Sequence, residues 1–90
     1  MAKVFIAEPF RRLTGGQEWQ TVAGTTLMEV LRRLTGEYPP LREKLFDPSG
    51  NTRAHFLIYL DGRAVRREHL ENTPVESDSE IKIFIVLAGG

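Results

Sequence analysis

The sequence predicts a small α+β domain, a β-sheet with one main helix packed across one face, and three observations point there. Runs with strand propensity cluster at residues 3–7, 17–22, 56–60, 64–65 and 81–88, and a single amphipathic stripe at 26–35 separates the first pair from the rest. The last run holds six consecutive apolar residues, 83–88, mostly β-branched or aromatic. Such a run reads as a strand buried on both faces, because a half-exposed strand alternates. Exposed at an edge it would aggregate, so it belongs at the centre of the sheet. Gly89-Gly90 follows it directly, which makes a two-glycine tail leave the sheet from its middle.

In residues 3–7, Val4 and Ile6 share one face while Lys3, Phe5 and Ala7 share the other. Residues 9–16 are a connection in which Thr14-Gly15-Gly16 supplies the turn, and 17–22 form a second, antiparallel strand. No Lys-Ser/Thr pair follows Gly15-Gly16 and the next element is a strand, so the glycines make a turn and not a phosphate cradle. Thr26-Leu27-Met28-Glu29 fits a capping box, with Thr26 accepting from the Glu29 N–H and Glu29 reaching back to Thr26. Leu27, Val30, Leu31 and Leu34 then form one apolar stripe, Glu29, Arg32 and Arg33 face water, and Gly36 is placed to end the helix in a left-handed conformation.

Tyr38-Pro39-Pro40 interrupts that helix, 41–46 can form further helical turns, and 47–51 is a turn cluster. Phe56, Ile58 and Leu60 alternate with Leu57 and Tyr59 in a third strand, and Asp61-Gly62 is a hairpin turn into a short fourth strand at 64–65. Residues 70–80 are a connection with Pro74-Val75 tucked inward. The expected core is Val4, Ile6, Val22, Leu27, Val30, Leu31, Leu34, Phe56, Ile58, Leu60, Ile81, Ile83 and Ile85.

Ninety residues make one domain, spanning 1–90. Twelve basic and twelve acidic residues cancel, so no charge excess argues for nucleic acid or a membrane surface. The longest apolar run is far shorter than the about 20 residues that span a bilayer, and Met1-Ala2-Lys3-Val4 opens a strand, so a cytoplasmic protein is expected. The chain has no cysteine, which excludes disulfides, thiol catalysis and zinc-thiolate sites.

His55 and His69 lack metal-ligand spacing and are expected at the surface, and no Gly-x-Ser-x-Gly elbow occurs. Glu68, Glu71 and Glu76 fall in solvated connections without the apolar surroundings that tune a catalytic acid. The expectation is therefore a non-enzyme with no bound metal or cofactor, whose one reactive group is the carboxylate of Gly90. Gly89 and Gly90, lacking Cβ atoms, would be flexible and able to enter a channel too narrow for side chains.

The ββαββ order with a diglycine ending resembles the ubiquitin-like β-grasp fold and, within it, the MoaD/ThiS family of sulfur carrier proteins. Gly24-Thr25-Thr26-Leu27, Ile58-Tyr59-Leu60-Asp61-Gly62, the 78–83 run and Ala88-Gly89-Gly90 carry the resemblance across the whole chain. Thr14-Gly15-Gly16-Gln17 and Leu45-Phe46-Asp47-Pro48-Ser49 look more like the CysO-like, cysteine-biosynthesis branch. The resemblance implies a mixed sheet of four to five strands with the first and last parallel and adjacent.

It further implies that an ATP-dependent adenylating and sulfurtransferase enzyme activates Gly90 and converts it to a thiocarboxylate, ATP being consumed by that enzyme, and that a downstream biosynthetic enzyme of the molybdopterin, thiamine or cysteine pathway takes the sulfur. Many molybdopterin-pathway members carry prolines before Ala-Gly-Gly, where this chain has Val86-Leu87. Alternation, with the first, third and last strands as neighbours, puts Phe5, Trp19, Leu57, Tyr59, Phe84 and Val86 on the face away from the helix. There Phe84, Val86, Leu87, Ala88, Phe5, Tyr59 and Leu57 are the expected partner contacts, with Phe84 as anchor, unless the 11–13 loop or the 38–51 insert covers them. The free protein is expected to be a monomer. A ubiquitin-like modifier conjugated through Gly90 and a non-catalytic β-grasp interaction module are the alternatives.

Overall fold

A computed structural model of the chain describes residues 1–8 and 10–86. Its elements are β1 (Ala2–Ile6), a 3-10 turn (Phe10–Thr14), β2 (Trp19–Val22), α1 (Leu27–Glu37), α2 (Pro39–Leu45), β3 (Phe56–Leu60), β4 (Arg63–Val65), a second 3-10 turn (Arg67–Asn72) and β5 (Glu80–Ile85). The five strands form one mixed sheet in the order β2-β1-β5-β3-β4. β1 runs parallel to β5 with Val4 opposite Ile81 and Ile6 opposite Ile83, and β3 runs antiparallel to β5 with Ile58 opposite Ile83. The last strand is thus central, as its apolar run demands.

That run is not buried on both faces, however, which corrects the reading of 83–88. Ile81 and Ile83 are buried, Lys82 is exposed, and Phe84 and Ile85 are only half-buried. Val86 lies past the strand and 87–90 lie outside the described residues. Among the described residues, the aromatic side chains of the second face cover part of one another and no second layer packs over them.

The core lies between the sheet and α1. Leu27, Val30, Leu31 and Leu34 are all buried against Val4, Ile6, Val22, Phe56, Ile58, Ile81 and Ile83. Leu60 and Ile85, expected inside, are half-buried at its margin. Gly24 lets the chain pass under the first turn of α1: a Cβ there would sit 2.6 Å from Val30 Cγ2 and 3.0 Å from the Val30 nitrogen. Thr26 caps the helix by accepting from the Glu29 N–H at 3.2 Å. The returning Glu29 carboxylate accepts instead from the Thr25 N–H at 2.7 Å, one residue before the expected partner.

α1 continues through Gly36 to Glu37, so Gly36 does not serve as a left-handed cap. Pro39 decides the end, because the residue preceding a proline is driven out of the helical region, and Tyr38 adopts ψ 78. The same prolines open α2, where a missing N–H costs nothing. α2 sends Leu41 and Leu45 fully into the core, and Leu70 from the second 3-10 turn joins them. Val75 is buried as expected, held by its N–H donating to the Thr25 carbonyl at 3.0 Å, while Pro74 stays exposed.

The β3–β4 hairpin turns on Asp61 and Gly62, with φ of 49 and 84, the two left-handed residues of a type I′ turn. Asp61 Oδ1 accepts from the Glu80 N–H at 2.9 Å, pinning the hairpin to the start of β5. Since Leu31 is wholly enclosed, Leu31→Ala is expected to cost about 2–5 kcal/mol, read as a lowered midpoint in denaturant titration without loss of the sheet.

Candidate functional site

The sheet has a closed face under α1 and an open face opposite. On the open face, register aligns Trp19 of β2, Phe5 of β1, Lys82 of β5 and Tyr59 of β3 in one row across four strands. Phe84 and Leu57 form the next row toward the end of β5. The Phe84 ring lies 5.9 Å from that of Phe5 and 5.7 Å from that of Tyr59, the latter edge-on, and Phe5 meets Trp19 edge-on at 5.3 Å. The structure therefore gathers Phe5, Leu57, Tyr59 and Phe84 into one patch around Phe84, as expected from alternation.

Neither segment expected to compete for this face buries it. The 38–51 insert packs on the helix side, where Leu41, Leu45 and Phe46 are buried and the Tyr38 hydroxyl pairs with Gln20 Oε1 at 3.1 Å. From the 11–13 segment only Arg11 reaches over, its guanidinium 5.6 Å from the Phe5 centroid. Its Nε donates to the Ile6 carbonyl at 3.1 Å, and Glu8 and Glu18 flank it at 3.4 and 3.8 Å. Trp19, Leu57 and Val86 remain 39, 37 and 47% exposed, a large apolar cost in water that association would relieve.

Val86, the last described residue, donates its N–H to the His55 carbonyl at 2.7 Å, which extends the β3–β5 ladder one step. Leu87, Ala88, Gly89 and Gly90 lie outside the described residues. Lys82 and Arg11 are the contributors that alternation by itself did not single out. Lys82 stands between Phe5 and Tyr59 in register, and only the β1–β5 pairing reveals it.

Among the described residues no group of three or more His, Asp or Glu side chains is placed to hold a metal ion, and no helix is long and apolar enough to cross a membrane. His55, His69, Glu68, Glu71 and Glu76 are all exposed. The Glu68 carboxyl is held below the usual carboxylate range by a hydrogen bond from its own backbone N–H, against desolvation and with help from Arg66, His69 and Arg67. A general acid requires the opposite shift.

The sheet order, the parallel first and last strands and the helix across one face define a ubiquitin-like β-grasp protein. The chain belongs to the ThiS family, whose model matches residues 4–90. It is 32% identical over 89 residues to the sulfur carrier protein CysO of Mycobacterium tuberculosis, covering 97% of this chain and 96% of that protein. The crystal structure of M. tuberculosis CysO superposes with a TM-score of 0.84 at 28% identity, covering 97% of this chain and all of the other. The solution structure of small archaeal modifier protein 1 from Methanosarcina acetivorans superposes with a TM-score of 0.81 at 26% identity, covering 99 and 95%.

A carbon-detected pH titration should give Glu68 a midpoint below that of a glutamate in an unstructured peptide. Because the folded value is the depressed one, its stabilising contribution is present above the unfolded pKa and disappears as pH falls through the folded pKa. Glu68→Gln should remove that part of the acid dependence.

Proposed function

We propose that the chain is a sulfur carrier whose Gly90 carboxylate is the reactive group. In this reading the carboxylate attacks the α-phosphorus of ATP on an adenylating enzyme, releasing pyrophosphate. A sulfur nucleophile then displaces AMP from the acyl-adenylate to leave a thiocarboxylate, which a biosynthetic enzyme consumes. The observation that carries the reading is the open aromatic face centred on Phe84, on the strand that leads into Gly89-Gly90, in a member of the ThiS family. Such a face offers both enzymes one platform on the strand that precedes Gly89-Gly90 in the sequence. A chain without cysteine has no thiol of its own to hold sulfur, and a thiocarboxylate, ionised at neutral pH, needs no side chain to activate it. Likeness to CysO favours the cysteine pathway as the destination.

A second reading, a protein modifier linked through Gly90 to lysines of targets, is supported by the likeness to small archaeal modifier protein 1. Both share the activation step. Incubation with an adenylating enzyme, ATP and sulfide is expected to exchange one oxygen for one sulfur in the intact mass. A Gly90–lysine isopeptide in cell lysate, without that exchange, would favour the modifier, and full cellular function after removal of Gly89-Gly90 would leave only an interaction module.

Gly90→Ala should still bind the adenylating enzyme but support little pyrophosphate exchange, since an added methyl obstructs a channel fitted to glycine. Phe84→Ala should weaken that binding by about 2 kcal/mol or more while leaving most of the folding stability. Unchanged affinity in calorimetry together with a large drop in melting temperature would make Phe84 a core residue instead.

A further inference from the structure

Register places Trp19, Phe5, Lys82, Tyr59 and Ala64 in a single row across all five strands of the open face. Lys82 is the one charged residue of that row, at its middle and on the central strand. It is exposed, and its side chain makes no ion pair among the described residues. The nearby carboxylates have other neighbours. Glu8 and Glu18 lie 3.4 and 3.8 Å from the Arg11 guanidinium, and Asp61 Oδ1 accepts from the Glu80 N–H at 2.9 Å. Glu80, two residues before Lys82, stands opposite Lys3 in the next row. Lys82 is thus flanked by the rings of Phe5 and Tyr59 on the adjoining strands, with Phe84 two residues on along its own. A lysine stem keeps its ammonium in water above such neighbours.

We propose that Lys82 selects what the open face accepts: it excludes a second copy of this chain and admits a partner that brings a carboxylate to the centre of an apolar contact surface. The inference rests on reading this face as the docking platform and adds the chemistry of the partner. Two copies closing these faces about a two-fold axis set the same surface against itself. With Lys82 at the middle, two ammonium groups then meet where water is excluded, and like charges so placed oppose association. A partner with a wholly apolar centre strips the ammonium of water and offers no replacement. A carboxylate at that point replaces the lost hydration and pairs with the charge. One side chain therefore keeps an aromatic surface from pairing with itself and discriminates among partners. Arg11 does not serve in this way, because Glu8 and Glu18 already meet its charge and the Ile6 carbonyl its Nε.

The test follows translational diffusion and amide chemical shifts by NMR over a dilution series ending at millimolar chain. Lys82→Met and Lys82→Gln are the neutral variants, and Lys82→Glu is the probe that carries a carboxylate on an otherwise identical face. Wild type and Lys82→Glu are each expected to remain monomeric. Lys82→Met is expected to self-associate at least about tenfold more tightly than wild type, with Lys82→Gln following it, and adding Phe84→Ala should return Lys82→Met to monomer. An equimolar mixture of wild type and Lys82→Glu is expected to associate at least about tenfold more tightly than either alone, and less as salt rises. Neutral variants no more associated than wild type, a mixture no tighter than its components, or association of Lys82→Met that survives Phe84→Ala would each overturn the proposal. No adenylating enzyme enters these measurements, so enzyme binding indifferent to Phe84→Ala would overturn the platform reading separately.

Discussion

The parallel pairing of β1 with β5 is the constraint on which the rest depends. It joins the first residues of the chain to the last strand, with Lys3 opposite Glu80 and Ile6 opposite Ile83, and so closes the longest loop in the molecule. Loop closure of that length costs entropy that local contacts cannot offset. The repayment comes from Val4, Ile6, Ile81 and Ile83, which lie side by side beneath the stripe of α1 and are all buried. Once β5 is held between β1 and β3, Val86 stands at the middle of the sheet's end.

That placement divides each central strand between two tasks. In β5, Ile81 and Ile83 hold the fold while Lys82 and Phe84 face outward, and in β3 Phe56 and Ile58 do the first while Leu57 and Tyr59 do the second. The period of two forces this division, because neighbouring side chains point to opposite faces. Phe5, Phe84 and Tyr59 cover part of one another through ring contacts, which limits the cost of leaving them toward water.

The connections are structural as well. Phe10 from the first 3-10 turn packs 5.3 Å from Phe56, Leu41 and Leu45 extend the core beyond the end of α1, and Leu70 closes it near the second 3-10 turn. A single eleven-residue helix covers only part of a five-stranded sheet. The short helical pieces fill the remainder.

Local chemistry in the sequence determined the strands, the Thr26 cap, the α1 stripe, the Asp61-Gly62 turn and the alternation that separates Ile83 from Phe84, since each rests on residues within a few positions of one another. The uninterrupted apolar run at 83–88 misled about the second face, because hydrophobicity records what a residue prefers and not whether another layer arrives to cover it. Only the tertiary structure decided that Lys82 stands between Phe5 and Tyr59, that Leu41, Leu45 and Leu70 are interior, and that Arg32, Arg42 and Arg53 line one groove. Those relations join residues far apart in the chain, and strand register and helix packing set them through contacts that no local pattern encodes.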